Sequence, residues 1–91
     1  MVFAKQIRDL VRSGEVTSSV RIWMFPRAKV SGRYPLAPGW VVVESIEEIG
    51  FEEITPEMAI ESGFGSVAEL LAVARHGRGE RVFLVRFRYE D

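Results

Sequence analysis

Phe3, Ile7, Leu10 and Val11 recur at helical spacing with Lys5, Arg8, Asp9 and Arg12 between them. That pattern predicts an amphipathic helix ending at Gly14, a residue free to take left-handed backbone. From Thr17 to Trp23 the period changes to two, with Val20 and Ile22 on one face and Thr17, Ser19, Arg21 and Trp23 on the other, so this segment is expected to be a strand. Met24 to Gly39 carries Pro26, Gly32, Pro35 and Pro38 and reads as a long loop, a length that in a compact domain goes with function. Trp40 to Ile49 is a β-rich run whose consecutive Val41, Val42 and Val43 point to a strand buried on both faces at its start. Gly50 breaks it, and Phe51 to Ile54 is expected to extend the sheet briefly. Thr55 followed by Pro56 starts a short helix that Gly63 ends, and Ser66-Val67-Ala68-Glu69 is a capping box that opens another, running to about His76. Arg81 to Tyr89, rich in Val and Phe, closes the chain as a strand. The order helix, strand, loop, strand, two helices, strand describes an α+β fold with a curled sheet.

The 91 residues form one domain, 1–91, with no linker, repeat or low-complexity tract. A chain this short needs most of its large apolar side chains for the core, so function falls to a few surface positions. The absence of cysteine excludes disulfides, thiolate nucleophiles and Cys-ligated zinc, and the single histidine, His76, disfavours a His-based metal site or triad. No metal and no cofactor is expected. No apolar run reaches the length of a membrane span, and Val2 to Ala4 is too short for a signal peptide, so a cytoplasmic protein without a membrane partner is expected.

Charge sharpens the picture. The chain carries 12 cations and 13 acids, yet no acidic side chain lies between Glu15 and Glu44, a stretch that interleaves Arg21, Arg27, Lys29 and Arg33 with Trp23, Phe25, Tyr34 and Trp40. Residues 1–45 hold seven cations against three acids, and residues 46–91 five against ten. A segregated positive surface with aromatic faces suits phosphates and bases, whereas the alternative is a core of aromatics with solvated cations at its rim. Arg21 stands out, since Thr17, Ser19 and Trp23 share its strand face. That row offers a guanidinium fork, two hydroxyls and an aromatic plane to a phosphate or carboxylate. A structural pairing of Arg21 with Glu44 is the competing reading. Lys29 and Arg33 would add positive field, and Tyr34 would stack. His76-Gly77-Arg78-Gly79 lacks the strand and helix that frame a phosphate loop and reads as a helix end and turn. Glu47, Glu48, Glu52 and Glu53 resemble a metal site by count, but their pairing in a strand context marks a solvated edge.

Ile54-Thr55, Ala59, Gly63-Phe64, Leu70-Leu71 and Val85-Arg86-Phe87 resemble the second half of ASCH domains, which share the PUA-like β-barrel fold. The family signature G-x-K-x-x-E-x-R falls on Gly14 to Arg21. Glycine and arginine match, while Val16 and Ser19 occupy the lysine and glutamate positions. The resemblance spans nearly the whole chain and implies a small curled PUA-like barrel with three short helices. It also implies an RNA or nucleotide-like anionic ligand in a cleft between barrel and helices. Some small bacterial members are amidohydrolases of N4-acetylcytidine, and their catalytic set maps onto Val16, Ser19 and Ser62, of which only the Ser19 hydroxyl fits.

Three readings follow. The first is a domain binding RNA or a nucleotide, with Arg21 on a phosphate or carbonyl, Thr17 and Ser19 as hydrogen-bond donors, Lys29 and Arg33 as field, and Trp23 or Tyr34 as stacking planes. The second is an enzyme, an amidohydrolase of modified nucleosides or a nuclease, in which Ser19 is activated by Lys29 or Glu61, and it requires a base within roughly 3 Å of the proton taken. The third is a protein-interaction module that uses the long loop. The residues alone do not fix the oligomeric state.

Overall fold

The computed structural model describes residues 1–74 and 80–91, so the sequence reading of His76-Gly77-Arg78-Gly79 lies outside the described residues. Helix α1 spans Lys5–Ser13 and buries Ile7 and Val11. It stops where expected, with Gly14 at φ 82° donating its N–H to the Val11 carbonyl. Strand β1 spans Ser18–Trp23, β2 Arg33–Leu36, β3 Gly39–Ile49 and β4 Arg81–Glu90. They form one antiparallel sheet in the order β1-β4-β3-β2, so β1 and β2 are its two edges.

Helix α2 covers Pro56–Glu61, with the Thr55 hydroxyl accepting the Met58 N–H, and α3 covers Val67–Ala74. At the start of α3 the Ser66 hydroxyl accepts the Glu69 N–H as the capping box requires, but the Glu69 carboxylate reaches one residue further back, to the Gly65 N–H. Phe51–Glu53 forms a turn of 3-10 helix where a brief sheet extension was expected. The Glu53 N–H donates to the Gly50 carbonyl there, a bond across three residues that curls the chain away from the ladder.

Helices cover both faces of the sheet. On one face Phe3, Ile7 and Val11 pack with Phe83, Val85, Phe87, Val41 and Val43. On the other, Ala59, Leu70 and Ala74 pack with Val20, Ile22, Val82 and Leu84. Strand β4 therefore has its residues 82–85 all buried, in strict alternation between the two faces. Burying roughly 100 Å² of apolar surface is worth about 2.5 kcal/mol, so these two clusters supply most of what holds a domain this small together. A bulge between Val43 and Ser45 shifts the β3–β4 register by one residue. The shift moves Ile46 onto the face of Val41 and Val43 and Ile49 onto the opposite one, and it adds twist. The result is an α+β fold with a curled four-stranded half-barrel and three helices. No helix among the described residues is long and apolar enough to cross a membrane.

Candidate functional site: a cleft along the free edge of β1

Because β1 is an edge strand, one of its sides has no neighbouring strand. The Phe87 N–H donates to the Thr17 carbonyl at 3.0 Å, which makes Thr17 and Phe87 a hydrogen-bonded pair of the antiparallel ladder. Ladder geometry then turns the backbone groups of residues 17, 19, 21 and 23 toward β4 and those of Ser18, Val20 and Ile22 outward. Along this outward edge lies a cleft of about 150 Å³, walled by Val2, Phe3, Ala4 and Ile7 on one side and by Ser62, Phe64, Val73 and Ala74 on the other. Ser18, Ser19, Val20 and Arg21 of β1, with Val16 just before it, complete the lining.

Gly63 packs the α2–α3 connection against Ile7 and Val16, two residues that line the cleft. At φ 93° it takes a conformation that favours glycine, and a Cβ there would lie 2.7 Å from Ile7 Cδ1 and 3.3 Å from Val16 Cγ2. The α2–α3 connection thus presses against α1, and the buried Val16 serves as apolar packing there.

Arg21 dominates the chemistry. It is only 8% exposed, and its guanidinium donates through Nε to the Ser19 hydroxyl at 2.8 Å and through Nη1 to the Val2 carbonyl at 2.6 Å. The guanidinium carbon stands 4.9 Å from the centre of the Phe3 ring. No carboxylate forms an ion pair with Arg21 among the described residues, and Nη2 has no hydrogen-bond partner among them. Glu44, the carboxylate considered for it, pairs with Arg88 instead. Burial pushes the Arg21 pKa down to about 10, a measure of how strongly the site penalises the lone positive charge, which is nevertheless present at neutral pH. Ser62, 3% exposed at the end of α2, has a hydroxyl oxygen sealed from solvent and without a hydrogen-bond partner among the described residues. Arg21, a buried cation with no carboxylate paired to it among the described residues, is the lining group that a bound anion satisfies.

The other residues singled out in the sequence are scattered. Thr17 is exposed and lies outside the cleft, one residue before β1. Trp23 is 5% exposed and packs against Phe83 with ring centres 5.7 Å apart, which gives its ring to the core. Tyr34 accepts the Lys29 backbone N–H at 2.8 Å and packs against the α1-side core, while the Lys29 side chain is exposed. Arg33 lies over Trp40 at 5.4 Å and pairs with Glu90 at 3.7 Å, on the opposite edge strand. Neither Lys29 nor Glu61 lines the cleft around Ser19. Arg21 is the only residue with a titratable side chain among the described lining residues. Glu47, Glu52 and Glu53 are exposed, and Glu48 is engaged by Arg81, with two hydrogen bonds of 3.0 and 2.8 Å.

Sequence reasoning assigned no ligand contact to Ser18, Ser62, Phe64 or the Val2–Ala4 segment. Ser62 entered it only as a position of the amidohydrolase set that does not fit. The signal available for it was its place beside Gly63 at the end of a helix, which gives no hint that the hydroxyl points inward. Comparison of this chain with protein-family models, with curated proteins and with solved structures finds no match.

Proposed function

We propose that this protein binds RNA or a nucleotide through an anionic group held at Arg21, as a PUA-like domain of the ASCH type. The observation that carries the reading is the buried Arg21 guanidinium, without a carboxylate partner among the described residues, lining the cleft along β1. A phosphate accepts from Nη2 and from the Ser19 hydroxyl, and the outward N–H and C=O groups of Ser18 and Val20 offer a donor and an acceptor to a polar ring edge. The apolar walls of Val16, Phe64 and Ile7 suit the faces of that ring.

The test is a titration of labelled single-stranded RNA and of nucleoside monophosphates at two ionic strengths, with wild type and Arg21→Gln. Binding is expected to weaken with salt, at about 0.7 in log K per log salt for each phosphate neutralised on a single strand, and to be lost in Arg21→Gln. A folded wild-type sample that binds neither ligand at the lower ionic strength overturns the proposal.

A further inference from the structure

A second depression, of about 350 Å³, adjoins the cleft and shares Arg21 with it. Its other lining residues are Met1, Val2, Trp23 and Arg27. Arg21 therefore stands between two spaces: the apolar cleft on one side, and on the other an open groove whose far wall is a second arginine. Arg27 is exposed and forms no ion pair among the described residues. No acidic side chain lies between Glu15 and Glu44, so the segment that carries Arg27 has no carboxylate of its own to neutralise it.

The loop bearing Arg27 is tied down. Arg81 Nη1 donates to the Met24 carbonyl at 3.4 Å, Ala28 is buried in the core, the Gly32 N–H donates to the Lys29 carbonyl at 2.9 Å, and the Ser31 N–H donates to the Val43 carbonyl at 2.7 Å. Those anchors fix the loop backbone while leaving Phe25, 66% exposed, standing in solvent two residues before Arg27. A large apolar ring held outward, two residues from a guanidinium with no ion pair among the described residues, gains nothing for folding. Both properties suit the stacking of a base next to a phosphate contact. The cleft itself has room for a ring or a phosphate but not for a strand, so any longer ligand must leave it across the surface, and the groove past Arg21 is the positively charged way out.

We infer that the Arg27–Phe25 loop and the groove it borders form a second subsite, which holds the phosphate and base of a neighbouring nucleotide, so that the ligand is a single-stranded RNA and not a mononucleotide. The inference rests on the proposed binding of an anionic group at Arg21. Arg21 holds the first anionic group, Arg27 the next phosphate along the strand, and the Phe25 ring stacks on the base between or beyond them.

The experiment compares 5′-phosphorylated oligouridylates of one to four nucleotides, at two salt concentrations, on wild type, Arg27→Gln and Phe25→Ala. All three proteins are first checked for equal thermal stability, which the exposure of both side chains favours. In wild type, affinity is expected to rise roughly tenfold or more between one and three nucleotides, on the scale of one stacked base plus one phosphate contact. Arg27→Gln is expected to leave the mononucleotide affinity within about twofold, to remove most of the gain with length, and to lower the salt slope for the longer strands by about 0.7. Phe25→Ala is expected to reduce the gain with length and leave the salt slope unchanged. If the mononucleotide binds and length brings no gain, the second subsite is overturned while binding at Arg21 stands. If Arg27→Gln weakens one and three nucleotides equally, Arg27 acts as diffuse field and the subsite is again overturned. If both variants bind every length as wild type does, the loop serves a partner other than RNA and the inference falls. If no length binds to wild type, the reading of Arg21 fails first and the second subsite falls with it.

Discussion

Arg21 and Ser19, two residues apart on one face of β1, are joined by a hydrogen bond of 2.8 Å from Nε to Oγ. The bond orients the guanidinium without neutralising it, because a hydroxyl accepts a hydrogen bond but carries no charge. Together with the Val2 carbonyl it aims the fork along the strand edge and leaves one nitrogen for a ligand.

A buried cation held only by neutral acceptors costs stability. At neutral pH the folded and unfolded chains both bind the Arg21 proton, so the full cost applies. It is relieved only above about pH 10, where the folded group releases its proton before the unfolded one does and stability from this group rises with pH. Arg21→Met, which fills the same space without charge, is expected to be neutral or up to about 2 kcal/mol more stable at pH 7 while losing anion binding. Urea denaturation with an unchanged m-value, paired with a nucleotide titration, checks both halves. A large loss of stability would instead make Arg21 a structural residue.

For stability, Ser62 is expected to behave in the same way on a smaller scale. Removing its buried hydroxyl in Ser62→Ala takes away a desolvated group that no atom of the described residues satisfies, so the variant is expected to be up to about 1 kcal/mol more stable. Ligand affinity is expected to stay close to that of wild type, because the hydroxyl is sealed from the cleft. A marked loss of affinity would instead place the ligand against that hydroxyl.

Much of the fold was legible because each element announces itself locally. The period of α1, the Thr55-Pro56 start, the Ser66 cap and the Val-rich strands depend on neighbours a few residues away. Strand β2 was not legible, since Arg33–Leu36 sits among prolines and glycines that signal a loop. Its ladder shows why the prolines are tolerated. The Val43 N–H donates to the Gly32 carbonyl, which sets the alternation so that the Pro35 nitrogen faces the free edge, where no N–H is needed. The site was half legible. Ser19 and Arg21 follow from the period of two, but Ser62, Phe64 and the Val2–Ala4 segment reach the cleft only through long-range packing. Lys29, Arg33 and Tyr34, near in sequence, are carried elsewhere by the turn that leads into β2.

Gly63→Ala is expected to cost about 1–3 kcal/mol. The positive φ strains any side chain there, and the added methyl meets Ile7 and Val16 in a packed interior. Denaturant midpoints read this directly. A cost below about 0.5 kcal/mol would mean that Ile7 repacks freely and that the packing between α1 and the α2–α3 connection is soft.

The Glu48–Arg81 pair links the end of β3 to the start of β4 at 2.8 Å. Hydrogen bonding to Arg81 is the main cause holding the Glu48 pKa below its ordinary value, so its contribution to stability is present above that value and disappears as pH falls through the lowered one. Thermal unfolding is expected to show a small gap in Tm between wild type and Glu48→Gln at pH 7 that closes once the carboxylate is protonated at acid pH. A gap that persists at low pH would assign the effect to packing and not to charge.

Ile7 and Val16, against which Gly63 packs, belong both to the lining of the cleft and to the hydrophobic core. That part of the cleft is therefore not free to deepen, because each ångström gained there is taken from the interior that keeps α1 attached. Val2, 77% exposed, is under no such constraint. Sequence change that the fold tolerates is channelled to the Val2 side of the cleft, while the side of Ile7 and Val16 keeps its shape.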